Sequence, residues 1–427
     1  MKNLIFLAAK DWAPSIINSY KEDIDYLIQK YWINPYILYL ENWKNLSEKK
    51  IKLKNELEKN WYIFKAFETK NNLFEFAQKL KWEKQVFTYK EQLIPLSIKL
   101  KKSLWQQATE NDNLFVSKKL QRQLLLEYNK DIAVNYKKFS TVNEIDPDTI
   151  IKEFEFPFII KPSTWIASWW VYKIGFKKNF LKALKKIDEV IKKVSQDMNI
   201  EKNEIIIEEF IDGKMYTIDY FVDEKQNIYI TKPVRTFTLK DEYWIDDFGI
   251  TKEILWDKIE KEIEENKLLK FIENNVKACK IRNHFVHHEF KLTSNWQLKT
   301  IELNWRIWWF RREMYRLAYN LTILEYLFNK NINPQFKQYY MFVGLFPTKE
   351  MNKIYSWIKD EFLKQIKSLS SFYQIKLRQA YIWNKIWFTK NGYKFFWTLR
   401  LVNKSYKQIE KDYQYIKENL QQNIIYK

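Results

Sequence analysis

Glycine is scarce in this chain, with five in 427 residues, where ordinary usage of about 7% would give roughly 30. The glycine-rich dinucleotide fingerprint is missing, so no NAD site is read from the N-terminal part. Cysteine is rarer still. Cys279 stands alone, which excludes an internal disulfide, reads as a buried structural thiol and points to a reducing, cytoplasmic setting. The only histidines are His284, His287 and His288, and no Cys/His metal-ligand spacing is present. No Ser/His/Asp or Cys/His nucleophile set is evident either. No run approaches the ~20 apolar residues of a membrane span. The first apolar run, Leu4 to Ala9, is too short for a signal-peptide core and is stopped by Lys10-Asp11, so it reads as a β-strand and no membrane partner is expected.

What is present describes a folded protein. Hydrophobic residues make up 46% and charged residues 30% of the chain, outside the range of disordered sequences. Its length suggests two or three domains. The net charge of +20 raises the question of nucleic acid. The lysines, however, are spread along the whole chain beside abundant Ile and Asn, as in a biased genome, and form no patch. Nucleic acid is therefore not an expected partner.

Tryptophan is as abundant as glycine is rare, at 19 residues. The two types together are about 6% of the chain, close to the ordinary glycine share of about 7%. Several tryptophans stand where glycine belongs. Ser294-Asn-Trp-Gln297 separates two strand-like runs, where Asn-Gly is the favoured turn pair and a bulky residue at positive φ is strained. Asp11-Trp12 follows the first strand. Ser163-Thr-Trp-Ile-Ala-Ser-Trp-Trp170 is a small-residue loop interrupted by indoles, and Trp308-Trp309 joins a strand to a helix-like run. Many of these codons are expected to be UGA, written here as Trp and read in the cell as Gly, a reassignment known in some bacterial lineages. Trp61, Trp82 and Trp256 lie in helix-like or strand-like runs that do not ask for glycine.

Along the chain, residues 1 to about 100 alternate strand-like runs (Leu4–Ala9, Tyr36–Leu40, Trp61–Thr69, Gln85–Tyr89) with helix-like ones such as Pro14–Lys30. This alternation predicts a small α/β domain with a parallel sheet. Beyond it, helices are predicted over Lys118–Tyr128, Asn179–Asn199 and Lys258–Cys279. Strands are predicted over Phe156–Lys161 and Glu204–Ile211, and hairpins over Tyr216–Lys232 and His284–Leu303. From about residue 335 the pattern restarts as helix, strands and a final helix, Ser405–Leu420. No internal repeat or long linker is present.

Four segments carry polar groups suited to one chemistry. Ser117-Lys118 opens a helix, with Arg122 four residues on. Phe156-Pro-Phe-Ile-Ile-Lys161-Pro-Ser163 is a strand ending in Lys-Pro before the tryptophan-interrupted loop. Ile205-Ile-Ile-Glu208-Glu209-Phe210-Ile211-Asp-Gly213 is a strand and its exit. His287-His-Glu289-Phe290 faces Ile301-Glu302-Leu-Asn304-Trp-Arg306 across a hairpin. Glu302 and Asn304 are two apart and so share a face. Oxygen ligands of this kind suit Mg²⁺, which keeps waters and bridges phosphates.

In this order the segments resemble the ATP-grasp superfamily, and within it the L-amino-acid ligases and carboxylase-like carboxylate-amine ligases. The resemblance is good from about Glu91 to Lys330 and looser outside. It implies an ATP-grasp fold of mixed α/β and α+β class, divided as an N-terminal α/β domain at 1–105, an ATP-grasp domain at 106–330 with a lid at about 145–212, and a C-terminal α+β lobe at 331–427. It implies that ATP is held by Lys118, Lys161, Trp165, Ser168, Trp169, Trp170, Glu208, Glu209, Phe210 and Ile211. Glycine at 165, 169 and 170 would let backbone N–H groups face phosphate oxygens. Two Mg²⁺ ions (or Mn²⁺) are assigned to Glu289, Glu302 and Asn304, and charge stabilisation on the transferred phosphoryl group to Arg306. Met215 stands where the family places a ribose-binding glutamate. Arg235 and Arg311 are candidates for gripping a substrate carboxylate. The implied reaction joins a carboxylate to an amine through an acyl phosphate, with an amino acid or peptide as substrate and a homodimer as a candidate assembly. Two rival readings are a non-catalytic ATP-grasp binder, if the indoles are real and block the loop, and a basic, aromatic-rich nucleic-acid binder.

Overall fold

The computed structural model describes residues 2–9, 13–40, 47–115, 117–163, 171–198, 204–245, 249–255, 262–304, 307, 310–346, 355–377 and 397–426. The N-terminal sheet is parallel throughout, in the order β3-β2-β1-β4, from β1 (Lys2–Leu7), β2 (Ile33–Leu40), β3 (Ile63–Phe67) and β4 (Glu83–Thr88). Apolar runs such as Leu4–Leu7, almost fully buried, are what a sheet covered on both faces requires. One face packs with Phe6, Ile24 and Phe87, the other with Ile5, Leu73 and Leu100.

A second, four-stranded sheet has the order β5-β8-β6-β7, from β5 (Tyr136–Phe139), β6 (Phe158–Pro162), β7 (Tyr172–Ile174) and β8 (Ile205–Glu209). The helix Lys177–Met198 covers it, and Phe158, Phe180, Ile187 and Ile207 form a separate core between them.

The third sheet is the largest. Its strands are β9 (Lys214–Val222), β10 (Ile228–Ile230), β11 (Val234–Thr238), β12 (Ile250–Leu255), β13 (His284–Leu292), β14 (Leu298–Asn304), β15 (Tyr339–Leu345), β17 (Phe372–Leu377) and β18 (Trp397–Asn403). They run β14-β13-β9-β11-β12-β15-β18-β17, with β10 paired to β9. A small pair joins β16 (Tyr355–Ile358) to β19 (Ile424–Tyr426). Hydrogen bonding is therefore continuous from the predicted hairpin His284–Leu303 into strands of the C-terminal region. The mixed α/β and α+β class expected from the sequence is what the structure has.

Left-handed backbone is concentrated on tryptophan. Ten described residues other than glycine have positive φ, and six of them are Trp32, Trp61, Trp82, Trp105, Trp244 and Trp296, at 52° to 71°. Two of these overturn the sequence reading that Trp61 and Trp82 need no glycine. The predicted strand at Trp61 begins only at Ile63, and Trp61 instead closes the preceding helix, Glu48–Glu58. Trp61 N–H donates to Glu58 O at 3.2 Å and Tyr62 N–H to Leu57 O at 3.3 Å, the paired bonds of a helix stop whose left-handed residue is usually glycine. Trp105 repeats the pattern after the helix Ile94–Ser103, its N–H donating to Lys102 O and that of Gln106 to Lys101 O. Trp256 lies outside the described residues. The turn at Ser294–Gln297 is present but is not the two-residue Asn-Gly type. Trp296 N–H donates to Thr293 O and Thr293 N–H to Gln297 O, a three-residue loop whose single left-handed position is Trp296.

Candidate functional site

The site is assembled on β13 and β14. Glu289 and Glu302 are direct cross-strand partners, as are His287 and Asn304. Asn304 Nδ2 donates to Glu289 Oε1 at 3.0 Å, so the three oxygen-bearing side chains share one face. Strand β14 is the sheet's edge, and the helix Lys118–Tyr128 covers it. Ser117 caps that helix, its hydroxyl accepting from Leu120 N–H, as capping residues do. One turn further, Gln121 grips the edge in both directions, donating to Leu303 O at 2.9 Å and accepting from Leu303 N–H at 3.1 Å. Arg122 Nη2 donates to Ile301 O at 2.6 Å. These contacts set Lys118, at the helix start, onto Glu302, with which it forms an ion pair. Composition alone cannot separate Lys118 from Lys119. In the structure Lys119 turns away to Glu204 at 2.8 Å.

A second ionic group lies beside the first. Glu208, on β8, receives Arg122 Nε at 2.9 Å and Lys161 Nζ, from the end of β6, at 2.8 Å. All three side chains are buried. Burial alone would raise the Glu208 carboxyl, but Arg122 and Lys161 outweigh it and hold its pKa down at about 2. Burial depresses the Lys161 ammonium, and Glu208 opposes that. On the Glu289–Glu302 face, burial and the neighbouring Glu302 push Glu289 up to about 7. Burial would also raise Glu302, but Lys118 holds it below the ordinary carboxylate value.

Behind Glu289, His287 Nδ1 lies 2.9 Å from Asp219 Oδ1, and its Nε2 is 3.9 Å from Glu289 Oε1. Tyr315 donates to the other oxygen of Asp219 at 2.7 Å. Sequence reading passed over Asp219 and named Arg122 without giving it a role. The signal for Asp219 was a carboxylate in the middle of a largely apolar strand. For Arg122 it was a cation one helical turn from Lys118.

The two candidate arginines part company. Arg311 lies on the carboxylate face and binds Thr217 Oγ1 at 2.6 Å and Glu253 Oε1 at 2.5 Å, and Thr217 is the β9 partner of Glu289. Arg235 pairs with Tyr216, on the alternate face, and donates to the carbonyls of Met215 and Thr236. At the exit of β8, Glu209 accepts from Asn135 N–H. Lys173, Lys240 and Lys291 surround the Phe210 ring, and Lys291 donates to Ile211 O. Trp165, Ser168, Trp169, Trp170 and Arg306 lie outside the described residues.

Among the described residues no group of three or more His, Cys, Asp and Glu side chains is arranged to hold a metal. The face offers two carboxylates and an amide, with one carboxylate raised by burial and by repulsion from the other. Such a set fits Mg²⁺, which takes its remaining oxygens from water and phosphate.

Residues 154–307 match the family model for the ATP-grasp domain. The whole chain has the fold of solved ATP-grasp structures. It overlays an L-amino acid ligase from Bacillus licheniformis at a TM-score of 0.66, with 14% identity over 100% of this chain and 99% of that one. The carboxyaminoimidazole ribonucleotide synthase of Aspergillus clavatus complexed with ATP gives 0.63 at 11% identity, over 99% of each chain. The phosphoribosylglycinamide synthetase of Anaerococcus prevotii gives 0.58 at 13%, over 100% and 99%. No curated protein sequence matches the chain.

Proposed function

We propose that this ATP-grasp protein is an ATP-dependent carboxylate–amine ligase that forms a C–N bond through an acyl phosphate, with an amino acid or peptide as one substrate. The observation that carries the reading is the meeting of Lys118 with Glu302 beside Glu289 and Asn304, from segments 184 residues apart. Cations and a carboxylate–amide face set side by side are what phosphoryl transfer needs, since its catalysis is positioning and charge neutralisation. Lys118 and Lys161 would hold the nucleotide phosphates, and β8 with its exit at Glu209–Ile211 would border the adenine. Glu289, Glu302 and Asn304 would hold Mg²⁺, which when bound neutralises phosphate charge. The substrate carboxylate attacks the γ-phosphorus and ADP leaves. An amine then attacks the acyl carbon, inorganic phosphate departs, and the amine's proton passes to solvent. Arg311, on the same face, is the better placed of the two arginines to meet a substrate carboxylate. Arg306 is assigned to the transferred phosphoryl group.

On the sequence reading, backbone N–H groups of residues 165–170 would face phosphate only with glycine at 165, 169 and 170. The reading therefore includes glycine at 165, 169 and 170, with UGA codons. The test is ADP release from ATP with a panel of amino acids and dipeptides, on protein made with glycine at those positions. Release that requires both a carboxylate and an amine is the expected result. Nucleotide binding with no release for any pair would favour a non-catalytic binder and sink the ligase.

A further inference from the structure

We infer that Trp32, Trp61, Trp82, Trp105, Trp244 and Trp296 are glycine in the protein as the cell makes it. The inference stands on backbone conformation and exposure, and holds or fails independently of the ligase reading. Eight tryptophans are among the described residues, and these six have positive φ. The other two, Trp357 and Trp397, lie in strands. Positive φ places Cβ against the local backbone, so it is rare in side chains other than Asn and Asp and an outlier in bulky ones. Only one glycine among the described residues, Gly213, sits at positive φ. The residue type built for this conformation is thus almost missing from it, and the type least suited to it supplies most of the sites.

Each of the six positions lies at a junction between two elements of the fold. Trp61, Trp105 and Trp244 end helices, each followed by a residue whose N–H reaches back five or six positions to a helix carbonyl. Trp32 follows the helix Ala13–Tyr31 and donates to Ile28 O. Trp82 is the last residue before β4, and Trp296 is the left-handed residue of the β13–β14 loop. Exposure gives an independent line. The six indoles are between 53% and 94% exposed, although tryptophan is on average a highly buried residue. Trp397 is 2% exposed and packs in the C-terminal core, so nothing in its setting calls for glycine.

Two measurements test this. Reading the codons and the peptide masses of the protein from the organism that carries the gene should give UGA and glycine at all six positions. UGG at two or more of them would overturn the inference. Separately, a combined variant (W32G, W61G, W82G, W105G, W244G, W296G) should unfold at a higher temperature than the chain as written, whereas W397G should unfold at a lower one. A combined variant that melts at or below the chain as written would also overturn it. Neither measurement involves ATP, so a failed ligase assay would leave the result standing.

Discussion

Replacing Glu208 by glutamine changes one charge and almost no volume. The carboxylate it removes lies between Arg122 and Lys161, with all three side chains buried. Breaking a buried ionic group from one side strands the remaining charges, at a cost of about 3–5 kcal/mol. The titration of Glu208 gives a second estimate. Its pKa falls from 4.5 to about 2 in the folded protein, and at ~1.4 kcal/mol per pH unit this is about 3 kcal/mol. Because the folded value lies below the unfolded one, this stability is fully present above pH 4.5 and is lost as pH falls toward about 2. Urea unfolding followed by far-ultraviolet circular dichroism should show E208Q destabilised by about 3 kcal/mol at pH 7. The gap to the unmodified protein should narrow steadily between pH 4.5 and 3. A loss under about 1 kcal/mol at pH 7, or a gap that does not change with pH, would refute the reasoning.

Lys118→Ala should lower the rate of ADP release by about 10²-fold or more, the scale of a lost charge-stabilising contact. Lys119→Ala, which loses its pairing with Glu204, should stay within about threefold, and equal losses in the two would remove the distinction between them. Glu302→Gln should raise the Mg²⁺ concentration needed for half-maximal activity, and a chelator should abolish turnover in the unmodified protein. Asp219→Asn, acting through His287, should raise the Mg²⁺ concentration needed for half-maximal activity by about 10- to 100-fold while leaving nucleotide binding without metal unchanged. Cys279, buried with its thiol pushed up to about 12, should resist alkylation in the folded protein, and Cys279→Ala should keep full activity.

The sequence revealed those parts of the fold whose cause is local. Buried apolar runs announced the parallel sheet, and Ser117 marked the start of the helix that carries Lys118. The alternation of Glu302 and Asn304 disclosed their shared face before any partner was known. The helices Glu48–Glu58 and Lys70–Lys79 went unread because their apolar stripes are thin. In the first, Leu57 is the only buried residue. Distant pairing was invisible for a different reason. Lys118 and Lys119 are equivalent as residues, and only the grip of Gln121 and Arg122 on β14 sends one to Glu302 and the other to Glu204. Trp61 and Trp82 were misread because hydrophobic pattern says nothing about φ, which depends on how a helix hands the chain to the next strand.

The unbroken ladder from β14 to β17 has a practical consequence for anyone shortening this chain. Ending it near residue 330 would remove β15 and leave β12 as an open edge. The backbone groups of Lys252, Glu253 and Ile254, now paired with Val343, Phe342 and Met341, would face water, and Ile254 would lose its packing against Met341 and Leu399. An uncovered strand of that kind invites pairing with a second molecule. A fragment that keeps every residue of the carboxylate face would therefore tend to aggregate, and the large sheet has to be produced together with its C-terminal strands.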